Sequence, residues 1–136
     1  MIGEAQDLLT AVGRSLARSG PNGWRELELK ISAAGRVTST TVSATNADGS
    51  VDLDSELDDD GDDAAAELRE AMYQEDKGTW YNARVSLDSS GQLDADFDYD
   101  HPPFDGQAAP DLLVEDHRLF PRDQAQLPSW HPSRSG

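Results

Sequence analysis

The sequence contains no cysteine and few basic residues: its 136 residues include 11 Lys or Arg against 27 Asp or Glu. The absence of cysteine excludes disulfide bonds and thiolate metal sites, and it is compatible with a reducing cytosol. The formal net charge of −16 disfavours nucleic acid and anionic membranes as partners. We therefore expect cationic protein partners, whose association slows as salt increases. The other explanation of the acidity is solubility alone.

Long hydrophobic runs are also missing, since no apolar stretch approaches the roughly 18 residues of a membrane-spanning helix. Charges are spread along an amphipathic pattern at the start of the chain, which differs from the basic start and apolar block of a secretory signal. We therefore expect a cytoplasmic protein that does not bind membranes. The length predicts a single domain over residues 1–136.

Hydrophobic periodicity predicts three helices and five strands. The predicted helices cover residues 4–18, 63–74 and 110–120, and the predicted strands lie in WRELELKISA, RVTSTTVSAT, SVDLD, TWYNARVSL and LDADFDYD. The order α-β-β-β-α-β-β-α, with hairpin-length turns, predicts an α+β domain with an antiparallel sheet and helices packed on one face. Residues 46–63 have the composition of an acidic loop, and residues 121–136 that of an extended, proline-rich tail.

The segment DADFDYD alternates aspartates with Ala95, Phe97 and Tyr99. Side chains alternate between the two faces of a strand, so this pattern predicts one buried apolar row and one displayed row of carboxylates. Asp is a poor strand former and like charges repel, which raises the question of a functional reason for the row. The displayed carboxylates belong to Asp94, Asp96, Asp98 and Asp100.

The preceding strand contributes two further candidates for a partner-binding surface, Trp80 and Arg84. If the turn DSSG pairs the two strands, we expect Arg84 to neutralise one or two of the aspartates and Trp80 to stand among carboxylates. An aromatic anchor ringed by acids suits a cationic cleft on a partner. Two structural alternatives remain open: a solvated face with one cross-strand ion pair, and Trp80 covered by the C-terminal tail.

A second acidic segment, ELDDDGDDAAAE, matches most of the spacing of an EF-hand calcium loop. The first position is Glu where Asp is usual, and the preceding segment predicts a strand where an EF-hand has a helix. A calcium-responsive acidic binding module is nevertheless kept as the alternative function. The candidate ligands are Glu56, Asp58, Asp60 and Glu67. Otherwise the segment is an acidic loop that contacts a partner, with Asp58, Asp59 and Asp60 as candidate contacts.

Residues for catalysis are not evident. The three histidines, His101, His117 and His131, lack metal-ligand spacing, and the chain has neither a glycine-rich phosphate loop nor a G-x-S-x-G motif. We therefore expect a protein that is not an enzyme and needs no cofactor.

Several separated motifs resemble the YezG-like immunity (antitoxin) family of bacterial polymorphic toxin systems. They stand at Gly78–Trp80, Phe97–Asp100, Phe120–Asp123 and Pro128–Trp130. The resemblance covers most of the chain and is weakest between residues 46 and 63. It implies a small cytoplasmic protein that protects the producing cell by binding a cognate secreted toxin domain, of nuclease or NAD-hydrolysing type, and it implies no catalytic residue. Together with the charge, it predicts a one-to-one complex with a basic toxin domain, in which the acidic surface makes the contact.

Overall fold

The computed structural model describes residues 2–134, and within them it has three α-helices and a five-stranded antiparallel sheet. The helices are α1 (Ile2–Ser19), α2 (Asp59–Ala71) and α3 (Pro110–Leu119). The strands are β1 (Trp24–Ala34), β2 (Val37–Asn46), β3 (Val51–Asp52), β4 (Asn82–Asp88) and β5 (Leu93–Asp98). The sheet order is β3-β2-β1-β4-β5, which places β1 at the centre. The predicted α+β class and element order are therefore confirmed.

Alternation along the central strand separates the core from the solvent. Leu27, Leu29 and Ile31 are each at most 1% exposed, and the intervening charged residues point to the opposite face. Helices α1 and α2 cover the apolar face, and α1 contributes Val12 and Leu16, both fully buried. Burying each such side chain stabilises the fold by about 1.5–3 kcal/mol, so this face forms the core. None of the helices in residues 2–134 is long and apolar enough to cross a membrane.

Helix α2 begins at Asp59, four residues before the predicted start, because Asp58 caps it. One carboxylate oxygen of Asp58 accepts the backbone N–H of Gly61 at 2.9 Å and the hydroxyl of Ser15 on α1. Gly61 lies where the two helices touch, and a methyl group there would overlap Ser15. The last part of the predicted acidic loop is therefore the first turn of a helix. Its earlier part contains β3, as the SVDLD pattern predicted.

The C-terminal segment is not simply extended. It forms a bridge between Arg122 and Lys77 and a short 3-10 turn at Gln124–Gln126. Leu127 and His131 are 1% and 3% exposed, so the segment packs on the domain and contributes buried surface.

A buried ion pair joins α2 to α3. Arg69 donates to both carboxylate oxygens of Asp116, at 2.6 and 3.1 Å, and its Nε donates to the carbonyl of Trp80 at 2.7 Å. Asp116 also accepts the backbone N–H of Gly35, in the turn after β1. The two side chains are 3% and 4% exposed, so these bonds replace the water that burial removes. One pair thus connects both helices to the sheet.

The cap at Asp58 predicts a stability loss that its exposed neighbour does not share. Asp58→Ala removes the cap and leaves the Ser15 hydroxyl without its acceptor, so we expect the free energy of unfolding to fall by about 1–2 kcal/mol. Asp59→Ala, at an exposed position one residue later, is the matched control and should change it by less than about 0.5 kcal/mol. Urea denaturation measures both values, and equal effects would contradict the capping role.

The buried pair predicts a larger effect. Asp116→Ala leaves the guanidinium of Arg69 buried without its counter-charge, and we expect a loss of about 3–5 kcal/mol in the free energy of unfolding. Glu115→Ala on the same helix breaks the exposed pair with Arg118, in which N and O lie 3.4 Å apart. Because exposed pairs contribute about 0–1 kcal/mol, this control should stay near the wild type in urea denaturation. A loss below about 1 kcal/mol for Asp116→Ala would refute the role assigned to the pair.

Candidate functional site

The face of the sheet opposite α1 and α2, here called the outer face, is mainly polar. Antiparallel register aligns its side chains in cross-strand rows. Row by row they are Ser39, Ser32, Asn82 and Asp98; Thr41, Lys30, Arg84 and Asp96; Ser43, Glu28, Ser86 and Asp94; and Val51, Thr45, Glu26 and Asp88. Six of these side chains are acidic and two are basic. The face therefore carries a net negative charge on a rigid support.

The acids concentrate at one end of the outer face. A cavity of about 330 Å³ opens there, and we call it the acidic groove after its four carboxylates. These belong to Glu26, Glu28, Asp88 and Asp94. The serine and threonine side chains between them add acceptors and donors but no positive charge. The groove therefore suits an inserted lysine or arginine side chain.

Arg84 lies on the outer face as predicted, directly across from Asp96. Its ion pair, however, is with Glu28 on β1, with Nε and Oε1 3.6 Å apart. Both side chains are exposed or nearly so, and such pairs contribute little free energy. The prediction considered only the aspartates of β5. It missed Glu28 because that residue lies on β1, which pairs with the other edge of β4.

The four alternating aspartates differ in their surroundings. Asp94 and Asp96 are exposed on β5, whereas Asp98 accepts the backbone N–H groups of Asp100 and His101 and the His101 ring nitrogen at 2.7 Å. Partial burial raises the pKa of Asp98, but these hydrogen bonds outweigh it and hold that pKa below its usual value. Asp100 lies beyond the end of β5 and is exposed. The exposed carboxylates on the strand are therefore those of Asp94 and Asp96, and Asp94 accepts a long hydrogen bond from the amide of Gln92, at 3.4 Å.

The expectation that Trp80 faces outward is wrong. Trp80 is fully buried, with its indole nitrogen 3.3 Å from the sulfur of Met72 and its ring 5.6 Å from that of Phe97. It precedes β4, so the alternation of that strand does not extend to it. The C-terminal segment covers the next residue, Tyr81, against which the ring of Trp130 packs edge-on at 5.0 Å.

The motifs that carry the family resemblance meet around one arginine. Arg122 donates to the carbonyls of Thr79 and Tyr99, at 2.9 and 3.2 Å, and its guanidinium lies 4.6 Å from the ring centre of Tyr81. Gly78 has a positive φ of 76°, and a side chain there would overlap Arg122. Burial raises the pKa of Tyr81 to about 12 despite the neighbouring arginines. The motifs therefore build the fold.

The geometry of this segment contradicts the calcium-loop interpretation. Asp58 is occupied as a helix cap, and Gly61 lies inside α2, whereas a calcium loop needs glycine in a sharp turn. Within residues 2–134 no three or more His, Cys, Asp or Glu side chains are grouped to hold a metal ion. Glu56, Asp60 and Glu67 therefore have no shared centre with Asp58.

The two sets of candidate contacts are also separate in space. Asp58, Asp59 and Asp60 lie at the start of α2, which packs on the inner face, whereas Asp94 and Asp96 lie on the outer face. Sequence reasoning missed Glu26, Glu28 and Asp88 as site residues. The alternation in WRELELK places both glutamates on a polar face, but the pairing of β1 with β4 was needed to bring them beside Asp88 and Asp94.

The histidines of α3 and the C-terminal segment form a small cluster in which His131 is buried and His117 is partly exposed. The ring of His131 lies 5.7 Å from those of His117 and Trp130 and 6.4 Å from that of Tyr81. Burial lowers the pKa of His131, the nearby His117 and Arg122 lower it further, and Asp116 opposes them. The neutral imidazole is therefore the form that fits this place.

This pKa predicts the pH dependence of the packing. Below the ordinary histidine pKa of 6.5, the unfolded chain binds a proton at His131 that the folded protein resists. Stability should therefore be complete above that pH and fall as the pH decreases below it. His131→Phe keeps the ring packing and removes the titration, so its stability should vary less between pH 7 and pH 5. Urea denaturation of both proteins across this pH range tests the prediction. The same dependence of the free energy of unfolding on pH in the variant and in the wild type would count against it.

Comparison of the sequence with known proteins and protein families tests the resemblance to the YezG-like immunity proteins. No curated protein matches the chain. A family model described as immunity protein YezG-like matches residues 50–108, less than half of the chain. The matched segment contains β3, α2, β4 and β5, and with them the motifs at Gly78–Trp80 and Phe97–Asp100. It also includes most of the stretch where the resemblance was expected to be weakest, while the motifs after residue 119 lie outside it. The resemblance to the YezG-like immunity proteins is therefore confirmed over residues 50–108.

Proposed function

We propose that this protein is an immunity protein that binds a cationic toxin domain through the outer face of its sheet and thereby blocks the toxin. The observation that carries the proposal is the acidic groove with the neighbouring Asp94 and Asp96, displayed on a face that α1 and α2 leave open. The family match supports the immunity role itself.

Electrostatics supports this choice of surface. The chain carries a net charge of −16, and the outer face adds a local excess of acids on a rigid support. Such a field steers a basic partner toward the face and raises its association rate, most strongly at low salt. An immunity protein benefits from fast capture, because a free toxin harms the cell that makes it.

The chemistry of the surface favours a nuclease over an NAD-hydrolysing toxin. Nucleases carry basic clefts that bind rows of phosphates. Carboxylates at alternate positions of β5 stand about 7 Å apart and form a row of negative charges that such a cleft accepts.

Blocking a cleft requires binding only, so the proposed role assigns no catalytic residue and no cofactor. We place the one-to-one complex in the cytoplasm of a bacterium that competes with neighbours by means of toxins.

The test compares two double variants that remove the same charge from different places. Asp94→Asn with Asp96→Asn neutralises the outer face, whereas Asp59→Asn with Asp60→Asn neutralises the exposed start of α2. The partner tested is the product of the adjacent gene, purified with an inactivating substitution, because the proposal predicts that this product carries the toxin domain. We expect the first variant to bind it on the order of tenfold more slowly at low salt, and the second to resemble the wild type.

Surface plasmon resonance at several salt concentrations measures the association rates and their salt dependence. The outer-face variant should show the shallower dependence, because fewer charges contribute to steering. Equal effects of the two variants would assign the attraction to net charge and contradict the outer face as the binding surface. Failure of the toxin domain to bind at all, in either salt range, would overturn the immunity role.

A further inference from the structure

The two edges of the sheet differ in how they are protected. Edge strands expose unpaired backbone groups, and proteins usually guard them with charged side chains. Strand β5 follows this rule with Asp94, Asp96 and Asp98. Strand β2 does not, because its sequence VTSTTVSATN contains no charged residue in a chain that is otherwise rich in them.

Backbone directions show which groups of β2 are unpaired. Asn46 donates its N–H to the carbonyl of Ser50, on the side away from β1. These directions alternate along a strand, so the backbone groups of Thr38, Thr40 and Val42 also point away from β1. The hydrogen bonds of β1 agree with this direction. Ala33 faces Thr38 in the register, but its N–H donates to the carbonyl of Tyr81 on the β4 side of β1. The backbone groups of Ala33 and Thr38 therefore point away from each other.

Only part of this edge is covered. Strand β3 pairs with Ala44 and Thr45 alone, and Val42 is 1% exposed and therefore shielded. Thr38 and Thr40 are partly exposed, and within residues 2–134 no strand pairs with their outward backbone groups. The open part runs from residue 37 to residue 41, close to the usual length of a strand.

Exposed apolar side chains flank the open edge at both ends. Val37, Val51 and Leu53 are 48%, 60% and 68% exposed, and they are three of the four large hydrophobic side chains exposed in the described chain. A groove of about 420 Å³ also adjoins Thr38, between α2 and the end of α3. Ala66 and Phe120 line it together with the charged Arg36 and Glu70, so the groove is mixed in character. A strand added beside β2 would direct side chains into this groove, because alternate residues point to the inner face.

We propose that the edge of β2 at Thr38 and Thr40 binds an extended segment of the cationic toxin domain, which adds a sixth strand to the sheet. The inference rests on the proposed function and assigns a second part of the same interface. Charge decides the occupant: two copies of a chain with net charge −16 repel each other, whereas a basic partner is attracted. Strand addition supplies affinity through main-chain hydrogen bonds.

The edge and the acidic face lie within one footprint. Thr41 stands in the same cross-strand row as Lys30, Arg84 and Asp96. Neighbouring strands are about 4.8 Å apart, so β2 and β5 are separated by about 14 Å. A standard interface of about 800 Å² on each partner spans that distance. One toxin domain therefore contacts both.

Hydrogen–deuterium exchange tests the proposal directly. In the free protein the amides of Thr38 and Thr40 point to solvent and should exchange quickly. In the complex with the inactivated toxin domain of the adjacent gene, we expect both to become strongly protected. The outward amides of Ala95 and Phe97 on the opposite edge are the matched control and should change little.

A proline variant provides the second measurement. Thr38→Pro removes an outward N–H that β1 does not use, so the fold should persist and the toxin should dissociate about 3- to 10-fold faster. Thr38→Ala keeps that N–H and is the matched control, which should leave dissociation close to the wild type. Circular dichroism verifies folding, and the exchange measurement decides the matter if a variant fails to fold.

The outcomes separate this inference from the proposed function. Binding of the toxin domain without protection of Thr38 and Thr40 would overturn the strand addition and leave the acidic face intact. Protection that depends on the concentration of this protein alone would identify a second copy as the occupant, which contradicts the proposal. Absence of any toxin binding would overturn both.

Discussion

The arrangement of the domain depends on the buried pair between Arg69 and Asp116. Its bonds reach α2, α3, the turn after β1 and the chain just before β4. A guanidinium and a carboxylate that are almost completely buried tolerate few geometries, because each lost bond leaves a charged group without water. The pair therefore fixes how the helices sit on the sheet, and apolar contacts alone would specify this less sharply.

Contacts of this kind also give the motifs that carry the family resemblance a structural role. Phe120 lies against the guanidinium of Arg69, 5.0 Å from its centre, and Arg122 follows directly after the turn that ends α3. Arg122 then binds the carbonyls of Thr79 and Tyr99, on either side of the β4–β5 hairpin. These contacts anchor both ends of the hairpin, which lowers the cost of ordering its backbone in the proposed complex.

Sequence patterns predicted the fold class and element order because each element has its own periodicity, as in the β1 sequence WRELELKISA. They failed where contacts between residues distant in the sequence determine the position of a side chain. Asp58 caps α2 and also binds Ser15 and Arg18 on α1, and Trp80 is buried at a bend of the chain before β4. Aspartates at alternate positions were recognisable, but the glutamates that complete the acidic groove depend on the non-local pairing of β1 with β4.

The two proposed parts of the interface perform different physical tasks. Exposed charges act over roughly a Debye length, about 10 Å at 0.1 M salt, and chiefly change how fast a partner arrives. Main-chain hydrogen bonds at a strand edge act only in contact and chiefly change how slowly it leaves. A surface with carboxylates on β5 and an uncharged open edge on β2 separates these tasks across one sheet. Charge at the edge itself would desolvate at a cost on pairing, which is a physical reason for the absence of charged residues from β2 in so acidic a chain.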